Sequence, residues 1–226
     1  MTCWPGPRHG SSRPSTGCCA RNRGNRETAK RARLLRRARF PVPKTLDGYD
    51  FTNVKLPDGY ARDELLSLDF VGRAQDLVFY GKTGRGKTHL ATALGMSAID
   101  RGMNVRFLPT AELVLQLGRA KREGTLETML KDIAKADLII LDEFGYVPFD
   151  VDGARLLYQV IAGSYERRSI IFTTNIEFSK WGTIFADDKL AASIIDRIVH
   201  HGRLIEFTGQ SHRISQALMF GKPQNQ

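Results

Sequence analysis

Gly81-Lys82-Thr83-Gly84-Arg85-Gly86-Lys87-Thr88 is a full match to the pattern G-x-x-x-x-G-K-[ST]. Each part of this stretch suits an oligophosphate. The glycines permit the backbone conformations and close approach that let successive N–H groups converge on phosphate oxygens. Lys87 supplies a point charge for the β- and γ-phosphates, and the Thr88 hydroxyl is a hard oxygen ligand for Mg²⁺. The flanks agree with that reading. Leu77-Val78-Phe79-Tyr80 is a short apolar run with strand character, and residues 89–96 place Leu90, Ala93 and Leu94 at helical spacing. Strand, glycine loop and helix in this order point the positive end of a helix dipole at a bound anion. The expectation is a nucleoside triphosphate site over residues 81–89, with His89 in the first turn of its helix.

Strand and helix signals alternate from there to the C-terminal region. Strands are expected at 77–80, 104–108, 138–141, 169–173 and 203–207. Helices are expected at 88–102, 111–121, 126–136, 153–167 and 189–200, with a short one at 61–68. Continuously apolar strands separated by helices predict a parallel sheet covered on both faces. The fold class is therefore α/β, and three segments are expected: a disordered basic tail over 1–25, a basic helix and linker over 26–60, and the nucleotide-binding domain over 61–222. Pro41 and Pro43 end the basic helix at about residue 39.

Leu138-Ile139-Ile140-Leu141-Asp142-Glu143 sets two carboxylates at the C-terminal end of a buried strand, where open α/β sheets bind their ligands. Asp142 is placed to hold the Mg²⁺ shell, and Glu143 to orient and deprotonate an attacking water. An acid that primes water favours hydrolysis over phosphoryl transfer to a metabolite. Ile171-Phe172-Thr173-Thr174-Asn175 ends another buried strand in small polar residues. Asn175 can reach a γ-phosphate or its water; a turn-forming Asn is the plain alternative.

The formal net charge of +10 is local in origin. Residues 1–44 carry twelve Lys and Arg against the single acid Glu27, and the rest of the chain holds 22 basic and 23 acidic residues. All three cysteines, Cys3, Cys18 and Cys19, lie in the same segment, at spacings that suit neither a zinc site nor a disulfide framework. No run approaches the ~18 apolar residues of a membrane span, so no membrane partner is expected. No secretory h-region is visible, which makes a cytoplasmic location the expectation. The Arg-rich, acid-poor start also has the composition of a transit peptide but lacks an amphipathic apolar face.

The three elements and their flanking text resemble the AAA+ ATPases of the IstB-like family, which assist insertion-sequence transposases and are related to the helicase loader DnaC. The resemblance rests on Gly84-Arg85-Gly86-Lys87-Thr88-His89-Leu90-Ala91 and on Leu141-Asp142-Glu143-Phe144-Gly145-Tyr146-Val147-Pro148. Thr173-Thr174-Asn175 followed by Phe178-Ser179-Lys180-Trp181-Gly182, then Asp196-Arg197-Ile198-Val199-His200-His201 and Ser211-His212-Arg213, extend it over roughly residues 28–220. It implies that Lys87 and Thr88 make the Walker A contacts, Asp142 and Glu143 the Walker B pair, and Asn175 sensor 1. It implies that Arg197 is a finger reaching a neighbouring subunit's γ-phosphate and that Arg213 is sensor 2. On the residues alone, Arg197 reads rather as a solvated helix residue pairing with Asp196. Lys82 and Arg85 depart from the family's usual uncharged residues, and both are expected to point outward.

The resemblance implies ATP and Mg²⁺ as cofactors, a homo-oligomeric assembly and a transposase partner. The basic helix is either a contact to the backbone of double-stranded DNA or a solvated tether. No base-reading motif is visible, so nonspecific duplex binding is expected. Two other readings stand beside the transposition helper. One is a helicase loader acting on single-stranded DNA; the other is a non-enzymatic DNA-binding remnant, motivated by low-complexity residues 1–25 that read as a truncated or frameshifted start.

Overall fold

Six strands form one sheet in the order β1-β6-β2-β5-β4-β3, in a computed structural model that describes residues 17–146, 149–185 and 188–211. The strands are β1 (Val54–Lys55), β2 (Asp76–Tyr80), β3 (Val105–Pro109), β4 (Leu138–Asp142), β5 (Ser169–Thr174) and β6 (Gly202–Phe207). Five are parallel, and the two-residue β1 runs antiparallel against β6, pairing Val54 with Phe207. The chain leaves β2 through α4 (Lys87–Asp100) and reaches β3 at the far edge. It returns through α5 (Thr110–Arg122) and α6 (Leu126–Ile133) to β4, then through α7 (Val151–Ser164) to β5 beside β2. A 3-10 helix (Phe178–Thr183) and α8 (Asp188–His201) lead to β6 on the other side of β2. β2 is thus the strand from which the connections go both ways, and the phosphate loop leaves its C-terminal end.

The strands read as unbroken apolar runs because side chains alternate between two buried faces. Leu77, Phe79, Phe107, Ile140 and Ile171 face one core with Leu90 and Leu94 of α4. Val78, Ile139, Leu141 and Phe172 face the other with Leu117, Leu157 and Ile194 of α5, α7 and α8. Helix α7 starts at Asp150, whose Oδ1 accepts from the Gly153 amide at 2.7 Å and satisfies one of the helix's orphan donors. Short helices α2 (Arg62–Ser67) and α3 (Asp69–Gly72) precede β2.

The N-terminal helix corrects one expectation. α1 spans Gly17–Ala38, so its start lies nine residues before the expected 26, inside the stretch read as a disordered tail. Gly17 and Gly24 argued against helix, but a Gly costs only about 1 kcal/mol once the Ala-, Arg- and Leu-rich turns after it have paid for nucleation. Nor is α1 a solvated tether. Leu34 and Ala38 are buried in the core shared with α4 and β3. Arg31 Nε reaches Asp100 at 2.6 Å, and Arg37 Nη2 and Arg106 Nη1 share Asp132 at 2.7 Å each. Burial raises the Asp132 carboxyl, but Arg106, Arg37 and Lys135 reverse this and hold it below the ordinary range. Arg33, Arg36 and Arg39 remain exposed.

Candidate nucleotide-binding site

A cavity of about 650 Å³ opens past the C-terminal ends of β2, β4 and β5, within the size range of ligand pockets. Thr83, Gly84, Arg85, Gly86, Lys87, Thr88 and His89 line one side, and Glu143 and Asn175 the other. Gly81 and Lys82 lie beneath the loop, where their carbonyls accept from Lys87 Nζ. Gly81 has φ +152°, and a Cβ there would overlap the Phe207 carbonyl of β6, so only glycine lets the loop leave the sheet this way. Lys82 is exposed, as expected. Arg85 is not: its Nη1 donates to the Phe207 carbonyl at 3.0 Å. A guanidinium beside a strand end finds an unpaired carbonyl more readily than it extends into water, and Arg85 becomes a strut between loop and sheet.

Asp142 is buried behind the lining residues Thr88 and Thr173, 8% exposed, with Thr88 Oγ1 donating to its Oδ1 at 2.9 Å. A hydroxyl and a carboxylate side by side at the mouth of a phosphate loop are the hard oxygen donors that Mg²⁺ takes. Thr173, whose polarity the sequence showed without its purpose, explains why this pair is fixed. Its hydroxyl donates to Asp142 Oδ1 at 2.6 Å and accepts the Glu143 amide at 3.0 Å. The Phe144 amide donates to the Thr173 carbonyl at 2.8 Å, and Thr174 Oγ1 donates to the Phe144 carbonyl at 2.8 Å. Both threonines stitch the exit of β5 to the exit of β4. Glu143 is thereby held at φ +56°, a left-handed backbone conformation that non-glycine residues seldom adopt, with its side chain exposed beside the cavity.

The linker after α1 closes the remaining side, which the sequence reading missed. Tyr49 and Lys44 line the cavity; the Tyr49 hydroxyl donates to the Gly86 carbonyl at 3.3 Å, and its ring lies 5.1 Å from His89. Burial, then the nearby Asp50 charge, push the Tyr49 hydroxyl well above its usual range. His89 Nε2 contacts the Thr45 carbonyl at 3.1 Å. The available signal was Tyr49 and Phe51 standing in an otherwise irregular stretch.

Behind the carboxylates, Phe144 packs on Trp181 at 4.6 Å and on Phe172 at 5.1 Å, and Trp181 is fully buried. Gly145 has φ +77° and lies so close to Ile184 that a side chain there would collide. The Phe149 amide donates to the Ile184 carbonyl at 3.0 Å. The Gly145-Tyr146 and Ser179-Lys180-Trp181-Gly182 stretches are therefore two parts of one packed unit.

Arg197 is not at the cavity. It lies on α8, whose end feeds Gly202, and Gly202 pairs with Asp76 at the opposite end of the sheet. Its expected partner is also different: Nη1 donates to the carbonyl and hydroxyl of Ser193, and the guanidinium lies over Tyr158 and Tyr165. Arg213 lies outside the described residues. No helix among the described residues is long and apolar enough to cross a membrane.

A family model described as IstB-like ATP binding protein matches residues 17–219. An ATP-binding protein of insertion sequence IS5376 from Geobacillus stearothermophilus is 41% identical over 183 residues, covering 81% of this chain and 73% of that one. An ATP-binding protein of insertion sequence IS21 from Pseudomonas aeruginosa is 41% identical over 182 residues, covering 80% and 69%. The crystal structure of the DnaC helicase loader superposes with a TM-score of 0.58 at 23% identity, over 73% of this chain and 96% of that one. The crystal structure of DnaI superposes with a TM-score of 0.61 at 21% identity, over 73% and 91%. At those identities the likeness concerns the fold, which is the P-loop NTPase fold of AAA+ type.

Proposed function

The chain belongs to the IstB-like ATP-binding family, and on that premise we propose that it is an ATP-hydrolysing helper of DNA transposition. In this reading it assembles as an oligomer on double-stranded DNA in the cytoplasm and acts with a transposase. The observation that carries the ATPase is the fixing of Asp142 and Glu143 by Thr173 at the mouth of the phosphate loop, with Thr88 bonded to the same Asp142 oxygen. The insertion-sequence context of the relatives supports the transposition role, and the outward arginines of α1 support the DNA contact.

In the proposed reaction the loop amides and Lys87 hold the β- and γ-phosphates of ATP. Thr88 and Asp142 would hold Mg²⁺, which would supply neutralisation of phosphate charge. Glu143, kept beside the cavity by its strained backbone, orients the attacking water and takes its proton. Asn175, one residue beyond β5, positions that water or the γ-phosphate. Arg197, whose helix ends at the opposite end of the sheet from its own cavity, is assigned in this reading to the site of a neighbouring copy. An always-charged guanidinium suits the charge spread over the transferring phosphoryl group.

The test is ATP turnover with and without duplex DNA, for the wild type and Glu143→Gln. Hydrolysis is expected to be slow alone and faster with DNA. Glu143→Gln is expected to bind ATP with unchanged affinity, stay on DNA and lose turnover by at least about 100-fold. A wild type that binds DNA yet neither binds nor hydrolyses ATP overturns the proposal.

A further inference from the structure

Arg197 does not stand free on α8. Its guanidinium lies 5.3 Å from the ring centre of Tyr158 and 5.9 Å from that of Tyr165, both on the same side of α7 or at its end. Nη1 is held by the Ser193 carbonyl at 2.8 Å and by the Ser193 hydroxyl. Tyr165 is in turn fixed from α8: its hydroxyl and His200 Nδ1 are 2.9 Å apart, and the His201 ring meets it edge-on at 5.1 Å. His201 Nε2 lies 3.1 Å from Glu166 Oε1, which locks the second histidine to the turn after α7. The proposed catalytic contribution of Arg197 explains none of these contacts. They define a seat: two ring faces under a half-buried cation, with one ring latched by a histidine from the cation's own helix.

We propose that Tyr158 and Tyr165 are positioning residues for Arg197, with His200 holding the Tyr165 ring in place, so that the guanidinium is presented in a fixed direction to a neighbouring copy's ATP. The inference rests on the reading of Arg197 as an inter-chain residue. The physics is that of an entropy saved in advance. An Arg side chain has many rotamers, and one placed on aromatic faces loses that freedom before the neighbour arrives. The ring faces attract the cation without neutralising it, whereas a carboxylate partner would hold it but cancel its charge. Among the described residues, neither Asp196 nor Glu166 makes an ion pair with Arg197. The seat therefore holds the cation while leaving its charge for the phosphoryl group.

The experiment mixes two inactive chains on duplex DNA. Arg197→Ala chains keep Glu143 but offer no finger; Glu143→Gln chains offer Arg197 but do not hydrolyse. Mixing is expected to restore turnover, because Arg197 of the second chain completes the site of the first. Tyr165→Leu placed in the Glu143→Gln chain is expected to lower the kcat of the mixture roughly three- to thirty-fold. KM for ATP belongs to the other chain's site and should not move. Tyr165→Phe keeps the ring face but loses the hydroxyl that His200 holds, so its rate should fall between those of wild type and Tyr165→Leu, and Tyr158→Leu should act like Tyr165→Leu. Unchanged kcat with Tyr165→Leu, or Phe as damaging as Leu, overturns the positioning role while leaving the inter-chain reading standing. If Arg197→Ala alone hydrolyses at the wild-type rate, or the mixture regains nothing, the inter-chain reading falls and the seat with it.

Discussion

Thr173→Val removes one hydroxyl and keeps the side chain's shape, in a residue only 2% exposed. Two hydrogen bonds go with it. The bond to Asp142 Oδ1 at 2.6 Å is charge-assisted, and such bonds contribute about 1.5–3 kcal/mol. The Glu143 amide at 3.0 Å loses its acceptor, and an orphaned donor costs about 1–3 kcal/mol if water cannot reach it. Partial rescue of Asp142 by Thr88 brings the sum to about 2–4 kcal/mol. For a chain of this length that is a fall of roughly 5–12 °C in melting temperature. The catalytic effect is separate. Without the Thr173 acceptor, nothing described on β5's side chains holds the Glu143 amide, and the φ of +56° is free to relax. A displacement of about 1 Å of a catalytic group costs about 100-fold in rate, so kcat should drop ten- to 100-fold with ATP affinity nearly intact. Thr173→Ser keeps the hydroxyl and should retain most of the rate. Scanning calorimetry and steady-state turnover on the three proteins decide the matter. Wild-type kcat in Thr173→Val, or Ser as harmful as Val, refutes the hydroxyl as the clamp.

Three further outcomes follow from α1 and β2. Arg33→Ala with Arg36→Ala should lower the slope of log affinity for duplex DNA against log salt by up to about 2, at unchanged melting temperature, by titration between 50 and 200 mM salt as an order-of-magnitude range. Arg31→Ala with Arg37→Ala should mainly lower stability, by about 1 kcal/mol, because those side chains face Asp100 and Asp132. Asp76 is buried at the start of β2, accepts from the Ile170 amide at 2.7 Å, and is pushed up to about 7 chiefly by burial. Its folded pKa exceeds the unfolded value of about 3.9, so its contribution is fully present below that value and is lost as pH rises through about 7. Wild type should therefore lose stability relative to Asp76→Asn between about pH 4 and pH 7, at up to about 1.4 kcal/mol per pH unit, in denaturant midpoints. Parallel stability curves for the two proteins would show that Asp76 stays ionised.

The strands at 77–80, 138–141 and 169–173 were legible because burial on both faces leaves an unbroken apolar run. The phosphate loop was legible because its glycines and Lys87 are spaced by the ligand. β1 was not, since two residues carry no period; Val54 and Lys55 pair only because β6 offers its edge and the Thr208 amide reaches the Asn53 carbonyl. Arg85 was misread because its partner, the Phe207 carbonyl, lies 122 residues away. Tyr49 was missed for the same reason: a loop aromatic gains meaning only when α1 docks and brings residues 41–50 over Gly86 and His89. The same docking is invisible in composition, where Arg31 and Arg37, ion-paired to Asp100 and Asp132, are indistinguishable from Arg33 and Arg36.

The distance between the cavity and Arg197 raises a question of coupling that the packing answers in part. Phe144 follows the two carboxylates directly, and it is pressed between Phe172 of β5 and Trp181 of the 3-10 helix. That helix packs on α8, and Ile184 at its end shares one buried cluster with Ala191, Ile194 and Ile198 of α8. Ser193 and Arg197 alternate with those buried positions on the same helix. Close-packed interiors transmit strain because few voids exist to absorb it. A chain of buried aromatic and aliphatic contacts thus runs from the residues facing one cavity to the helix that carries Arg197. Trp181 is one central link of that chain: its ring touches Phe144 and Phe172, and its Nε1 donates to the Ile176 carbonyl just past Asn175. Trp181→Phe keeps aromatic packing but drops that bond and part of the volume. If the two ends work as one body, the substitution should lower hydrolysis both in its own site and, in mixed assemblies, in its neighbour's, as read by steady-state ATP turnover on each pairing. An effect confined to its own site would show that α8 keeps its place without this contact.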